Sequence, residues 1–123
     1  MISIVAISVK QPRANMIASG EKTIETRTWR TTYRGDLLIV SSRYPKIEPA
    51  GKAVAVCRLV DCRPMRRADE KAACCEWYEF AYAWVLNDAR AIEPFPVRGR
   101  LGFFKVTVDE AWLRTPPKTR RLF

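Results

Sequence analysis

Residues 20–29 read GEKTIETRTW, and this stretch decides how the chain is predicted to fold. If Thr23–Trp29 is a strand, Glu25, Arg27 and the final tryptophan share one face, because successive side chains of a strand alternate between faces. Ile24 then points the other way, toward apolar packing. An acid, a guanidinium and an indole on one face suit a polar pocket with an aromatic floor, and Lys22 adds a cation at its mouth. The alternative is a solvated ion pair on an exposed sheet.

A short helix is predicted just before this strand. Pro12 suits the first helical position, because its missing N–H and its fixed φ cost nothing there. Ala14, Ile17 and Ala18 form a short apolar stripe, and Gly20 stands where a left-handed C-cap is expected. The helix is about two turns long, so tertiary packing must hold it.

These residues form a pattern that resembles the ASCH domain family, named for its homology to the coactivator activating signal cointegrator 1. The first part of the pattern is Gln11-Pro12, Gly20-x-Lys22-x-x-Glu25-x-Arg27-x-Trp29 and Tyr33-Arg34-Gly35. The second part is Tyr82-Ala83-Trp84, Pro94, Pro96, Gly99 and Gly102-Phe103-Phe104. The resemblance runs from about Ile4 to Val106 and is closest to the coactivator-like branch. It implies a PUA-like β-barrel with a cleft between barrel and helix, and RNA or DNA as partner.

The predicted class is α+β: a PUA-like mixed β-barrel with a short helix before the signature strand and a second helix inserted mid-chain. We expect one domain over residues 1–110 and a basic tail over residues 111–123. Prolines 94 and 96 are expected to break the chain before the last strand. The other predicted strands are Ile2–Val9, Asp36–Ser42 (buried on both faces), Lys52–Asp61, Phe80–Leu86 and Leu101–Val108, and part of Arg66–Tyr78 is predicted to be helical.

Composition supports a globular chain in an aqueous compartment. Apolar residues make up 48% of the 123 residues, which is too many for a disordered chain. No apolar run approaches the length of about 18 residues that a spanning helix needs. The N-terminal strand lacks the basic region of a signal peptide, so we expect a cytoplasmic protein without membrane contact.

Positive charge is concentrated at the two ends of the chain. The net charge is +9, and 15 of the 22 cationic residues are arginine. Residues 1–46 carry eight cations and three anions, residues 98–123 carry seven and two, and residues 47–97 carry seven and eight. Terminal strands of a barrel can lie side by side, which would bring the two basic ends together. Phosphate binding needs such concentration, and arginine favours bidentate contact with phosphate or guanine.

The absence of histidine excludes several kinds of catalysis. There is no histidine in the chain, so Ser-His-Asp triads, Cys-His pairs and two-imidazole ribonuclease sites are excluded. The cysteines at 57, 62, 74 and 75 form no Cys-x-x-Cys pair, so no zinc, other metal or cofactor is expected. Without a secretory signal we expect no disulfide. Lys22 and Glu25 are the one compact set left for hydrolysis.

Two functions of different classes follow, and we expect RNA or DNA binding as the first. Arginines and lysines would hold phosphates, and the cleft would accept a base. The aromatic residues that could stack on this base are Trp29, Trp84 and Tyr82, with Trp29 the first candidate. The predicted binding residues are Lys10, Gln11, Arg13, Lys22, Glu25, Arg27, Trp29, Arg30, Tyr33, Arg34, Ser41, Trp84, Arg98 and Arg100.

The alternative is a metal-independent hydrolase that uses Lys22 and Glu25 in the same cleft. The resemblance implies either a ribonuclease or an amidohydrolase on an acylated nucleoside such as N4-acetylcytidine. The amidohydrolase pattern has a threonine where this chain has Glu25, so the hydroxyl nucleophile is missing. Thr23 or Thr26 would have to replace it, although alternation predicts that Thr26 faces away. A protein-interaction module is a weaker third reading, which leaves the signature unexplained.

Overall fold

The computed structural model describes residues 1–116, which form one six-stranded mixed sheet with two short helices. Lys118, Arg120 and Arg121 of the predicted basic tail lie outside the described residues. The domain boundary at residue 110 stays a prediction. The elements in chain order are β1 (Ile2–Val9), α1 (Arg13–Ser19), β2 (Ile24–Arg27), β3 (Gly35–Ser41), β4 (Lys52–Pro64), α2 (Glu70–Ala73), β5 (Tyr82–Pro96) and β6 (Phe104–Val108). Two short 3₁₀ turns span Arg67–Asp69 and Glu110–Leu113.

The strand order across the sheet is β2-β5-β4-β3-β1-β6. β1 and β3 are parallel, and the other neighbouring strands are antiparallel. The first and last strands of the chain are therefore neighbours, with Ile2 opposite Val108 and Ala6 opposite Phe104. This confirms that the terminal strands lie side by side, although it happens within an open sheet.

The sheet does not close into a barrel within residues 1–116, so the expected closed barrel is wrong. β2 has four residues and pairs with β5 alone, while β6 pairs with β1 only as far as Ala6. The last residues of β1 consequently have one unpaired edge, which faces the free edge of β2. A side chain, the guanidinium of Arg27, spans this gap by donating to the Ser8 carbonyl oxygen at 2.7 Å.

The apolar core lies on both faces of the sheet. β3 shows this directly, because Leu37 and Ile39 pack into one cluster while Leu38 and Val40 pack into another. The predicted double burial of this strand is confirmed. α1 covers the first cluster through Ala14 and Ile17, which supplies the tertiary packing that a seven-residue helix requires.

The ends of α1 are formed by local chemistry. The helix begins at Arg13, so Pro12 precedes its first residue instead of occupying it. Gln11 is buried, and its side-chain oxygen accepts the N–H of Asn15 at 3.0 Å, which satisfies a donor of the first turn. Gly20 adopts a φ of 86° at the C-cap, as predicted.

The later part of the chain differs from the prediction in three places. β5 continues through Pro94 and ends at Pro96. The register between β5 and β4 shifts opposite Ala53 and Ala55, which forms a bulge in β5. Within a bulge a proline does not need to donate a backbone hydrogen bond to the neighbouring strand. β6 starts at Phe104, since Leu101 belongs to an exposed loop. Of the predicted helical stretch, the 3₁₀ turn and the four residues of α2 are formed. None of the helices in residues 1–116 has the length and apolarity needed to cross a membrane.

Candidate functional site

The acidic centre of the signature is held on both sides by cations. Glu25 is buried in β2, and its Oε2 accepts from the Nε of Arg27 at 2.9 Å. Its Oε1 lies 3.6 Å from the Nζ of Lys22. The Nη2 of Arg27 also lies 2.9 Å from Oε2 of Glu25 and donates to the Ser8 carbonyl oxygen at 2.7 Å. Lys22, Glu25 and Arg27 therefore form a chain of ion pairs beside the gap in the sheet. Because Glu25 is buried, the alternative of a solvated ion pair on an exposed sheet is wrong.

Lys22 lies behind Glu25 and not at the mouth of the pocket. Its side chain is 1% exposed, and its Nζ donates to the carbonyl oxygen of Ala73 in α2. Burial lowers the pKa of Lys22 below its ordinary value, while the carboxylate of Glu25 opposes this shift. Lys22 thus joins the signature strand to α2, and its amine is covered by protein atoms.

A cleft runs along the gap between β2 and the end of β1, and it consists of two joined pockets. The β2 pocket has a volume of about 500 Å³ and the serine pocket about 440 Å³. The residues that line both are Ser8, Ser42, Arg100 and Leu101. The β2 pocket is also lined by Val9, Lys10, Arg13, Glu25, Thr26, Arg27, Cys75, Tyr78 and Gly102, and the serine pocket by Ser41, Arg43, Tyr44, Gly51, Val97, Arg98 and Gly99.

The cleft is strongly cationic. Its lining contains six lysine or arginine residues and one carboxylate, Glu25. Among residues 1–116, Arg27 is the one cleft cation with a carboxylate within 4.0 Å. The cleft cations without such a partner are Lys10, Arg13, Arg43, Arg98 and Arg100. Their charge is available to a ligand, and the two basic ends of the chain meet here.

Several cleft residues were missed in the sequence analysis, although a signal for them exists. β1 and β3 are parallel, so their carboxyl ends reach the same edge of the sheet. Each strand end is followed by polar residues, Lys10 after β1 and Ser42-Arg43 after β3. The carboxyl ends of neighbouring parallel strands are a common ligand position in α/β sheets, and that rule identifies Arg43 once the parallel pairing of β1 and β3 is known. Tyr44 and Tyr78, both exposed, carry no comparable signal.

The loop Arg98–Gly102 forms one wall of the cleft and packs closely against β1. A Cβ added at Gly99 would lie 2.8 Å from the Oγ of Ser8, so this glycine permits the close approach. Leu101 in the same loop is almost fully exposed at the junction of the two pockets. Arg98 and Arg100, both predicted binding residues, are held at the cleft by this contact.

The tryptophans proposed for stacking belong to an aromatic cluster outside the lining of both pockets. Trp84 has no exposed surface, and its Nε1 donates to the Trp29 carbonyl oxygen at 3.3 Å. The Trp29 ring meets Trp84 edge-on at 4.7 Å and Phe103 at 5.4 Å. Trp84 therefore supports β2 from within the core, because β5 places it directly opposite Glu25.

Four further predicted residues are not brought to the cleft. Arg34 donates to the carbonyl oxygens of Thr31 and Tyr33 and lies 3.7 Å from Asp61. The hydroxyl of Tyr33 donates to the Asp36 carbonyl at 2.6 Å, which fixes the turn before β3. Arg30 is exposed and lines neither pocket. Gln11, as described above, caps α1.

Thr26 lines the β2 pocket, contrary to the expectation that it would face away. β2 is an edge strand and the cleft lies along its free edge, so residues from both faces contribute. The Thr26 hydroxyl is 3.8 Å from the Sγ of Cys75.

Burial raises the pKa of the Cys57 thiol to about 12, so that thiol is inert. No group of three or more metal-binding side chains occurs within the described 116 residues.

Comparison with known proteins agrees with the fold. The sequence profile of the ASCH domain matches residues 7–96. Solved structures of the ASCH protein of Zymomonas mobilis have a similar fold. A tyrosine-to-phenylalanine variant of that protein has 19% sequence identity and a TM-score of 0.61, over 76% of this chain and 75% of that chain. The unsubstituted protein has 19% identity and a TM-score of 0.62, over 76% of this chain and 73% of that chain. A serine-to-alanine variant gives 17% identity and a TM-score of 0.64, with 84% and 87% covered. No curated protein matches the chain. The chain belongs to the ASCH domain family.

Proposed function

We propose that the protein binds nucleic acid, RNA or DNA, in the cleft between β2 and the end of β1. The observation that carries the proposal is the set of five cleft cations that have no carboxylate partner among residues 1–116. They surround an open groove whose described lining contains one acidic residue. Phosphate neutralisation by such side chains releases counterions and supplies the free energy of binding. Family membership adds support, because PUA-like folds are often linked to RNA binding.

The two pockets suit different parts of a nucleotide. In the β2 pocket, Glu25 provides an acceptor for an exocyclic amine, and Arg27 orients that carboxylate. Tyr78 offers an exposed ring at the same pocket, on which a base can stack. Tyr78 takes the role that was expected of Trp29 and Trp84. The serine pocket combines arginines with hydroxyl groups and suits the phosphate backbone.

A hydrolase that uses the same cleft is the second candidate, and one observation favours it. Lys22 lies 3.6 Å from Glu25 and has a lowered pKa, as a lysine base requires. The covered position of its amine favours binding over catalysis, because a general base must reach the proton that it removes. A ribonuclease predicts RNA cleavage that is lost in Lys22→Met. An amidohydrolase predicts release of acetate from N4-acetylcytidine.

The test is a titration of labelled single-stranded RNA and DNA of one sequence at two salt concentrations, followed by analysis of the RNA for cleavage. If all five cations contact phosphates, the slope of log K against log salt is about −3.5. Affinity then falls about a hundredfold between about 50 and about 200 mM salt. Intact RNA with this slope supports the binder. Cleaved RNA supports the hydrolase, and affinity that does not depend on salt contradicts the electrostatic account.

A further inference from the structure

The serine pocket contains a buried hydroxyl without a partner. Ser41 ends β3, lines this pocket and is 1% exposed. Its Oγ is the one buried side-chain N or O atom in residues 1–116 without a hydrogen-bond partner. Buried polar groups are nearly always paired, and leaving one unpaired destabilises the fold. A ligand oxygen that reaches this hydroxyl would remove that cost.

The rest of the serine pocket has the donors that a phosphate group requires. Arg43, Arg98 and Arg100 supply guanidinium forks, and none of them has a carboxylate partner within the described part of the chain. Ser8 and Ser42 add hydroxyl groups to that of Ser41. No aspartate or glutamate is among the described lining residues, so nothing in the pocket repels an anion. Guanidinium groups match the geometry of phosphate oxygens.

The number of donors exceeds the need of an internal phosphate. A phosphodiester presents two non-bridging oxygens and one negative charge, whereas a terminal phosphate presents three oxygens and a charge near −2. Three arginines and three serine hydroxyls suit the terminal group better than the internal one, because it has more oxygens and more negative charge. The adjoining β2 pocket, which shares Arg100, would then take the attached nucleoside.

We propose that the serine pocket is a subsite for the terminal phosphate of a nucleic acid, with Ser41 as a direct donor. The inference rests on the proposed function and specifies it: the preferred ligand has a phosphorylated end. A water molecule on Ser41 is the competing explanation of the unpartnered hydroxyl. If a water molecule occupies Ser41, the affinity of the protein for RNA should not depend on whether the RNA end carries a phosphate. The two explanations therefore predict different results.

The experiment compares one short single-stranded RNA with a 5′-phosphate, with a 3′-phosphate, or with hydroxyls at both ends. Each is titrated against the wild type, Ser41→Ala and the control Ser3→Ala, an exposed serine on β1 outside the cleft. Wild type and control are expected to bind one phosphorylated form at least about tenfold more tightly, and Ser41→Ala to lose most of that preference. Ser41→Ala should keep or raise the melting temperature, because it removes an unpaired polar group.

The possible results are distinct. Equal affinity for all three ends, or a preference that persists in Ser41→Ala, overturns the subsite and leaves nucleic-acid binding intact. A lower melting temperature of Ser41→Ala also overturns it, since the hydroxyl would then have a partner within the fold. If no RNA binds, the proposed function fails, and adenosine 5′-monophosphate is compared with adenosine. Binding of the monophosphate alone, lost in Ser41→Ala, keeps the subsite, and any other result rejects it.

Discussion

The Arg27 guanidinium donates to the Ser8 carbonyl oxygen at 2.7 Å, and this bond joins the edge strand β2 to the unpaired end of β1. The same guanidinium holds the Glu25 carboxylate at 2.9 Å. The Arg27 side chain therefore links β2 to β1 where these strands make no backbone hydrogen bonds to each other. It also holds Glu25, the acidic residue in the described lining of the cleft. The signature residues keep the groove open and hold its walls in position.

Breaking this link should destabilise the protein, because the buried carboxylate of Glu25 loses its closer cation. In Arg27→Met the buried Glu25 keeps only Lys22, at 3.6 Å. We expect a loss of about 3 kcal/mol in the free energy of unfolding, measured by urea denaturation. The triple variant Lys22→Met/Glu25→Gln/Arg27→Met should recover part of the loss, because none of the three charges then remains buried. An equal or larger loss in the triple variant would contradict the prediction.

Asp69 should make stability depend on acid pH. Two hydrogen bonds from Arg63 hold the pKa of this carboxyl at about 2, below its ordinary value of 3.8. A lowered folded-state pKa means that the stabilisation is complete above about pH 4 and is lost as the pH falls toward 2. Asp69→Asn should be less stable at neutral pH and should show a shallower acid limb in pH-dependent unfolding. An unchanged acid limb would refute the pairing.

The contribution of Lys22 to stability should also rise with pH, but in the alkaline range. Its folded-state pKa is lowered by burial, so the unfolded chain binds more protons between that pKa and the ordinary value of 10.5. The stability of the wild type relative to Lys22→Met should therefore rise as the pH increases through that window. Urea unfolding of both proteins between neutral pH and pH 10 measures the difference. A difference that falls with pH would show that the lysine is not desolvated.

Gly99 should be required for the position of the cleft loop. An alanine Cβ would lie 2.8 Å from the Ser8 Oγ, so either the serine or the loop that carries Arg98 and Arg100 must move. Gly99→Ala should weaken nucleic-acid binding by about 1 kcal/mol, and Ser8→Ala/Gly99→Ala should return to the affinity of Ser8→Ala alone. Isothermal titration of the three variants completes the cycle. Additive effects would mean that the contact does not position the loop.

Much of the fold could be predicted because local patterns decide it. β1 was predicted with its observed bounds from alternation, β3 from its unbroken apolar run, and the end of α1 from Gly20. The path of β5 could not be predicted, because whether Pro94 breaks a strand depends on a bulge opposite β4. Whether the sheet closes into a barrel likewise depends on the lengths of its two edge strands, β2 and β6, which are far apart in the sequence.

The candidate site was predicted in part for similar reasons. Alternation identified Glu25 and Arg27 correctly as neighbours, since their contact is local. The family resemblance placed Trp84 among the ligand-binding aromatics, but the pairing of β5 with β2 buries that ring opposite Glu25. Arg43 reaches the cleft through the parallel pairing of β1 and β3, which is a long-range relationship that a single sequence does not display.

The most direct test of the cleft as the nucleic-acid site compares two arginine variants that change the net charge equally. Arg100 lines both pockets, whereas Arg114 is exposed and lines neither. We predict that Arg100→Gln weakens binding of single-stranded RNA about tenfold and makes the salt slope shallower by about 0.7, while Arg114→Gln behaves like the wild type. Equal weakening by both variants would show that binding follows net charge alone, and it would contradict the assignment of the cleft.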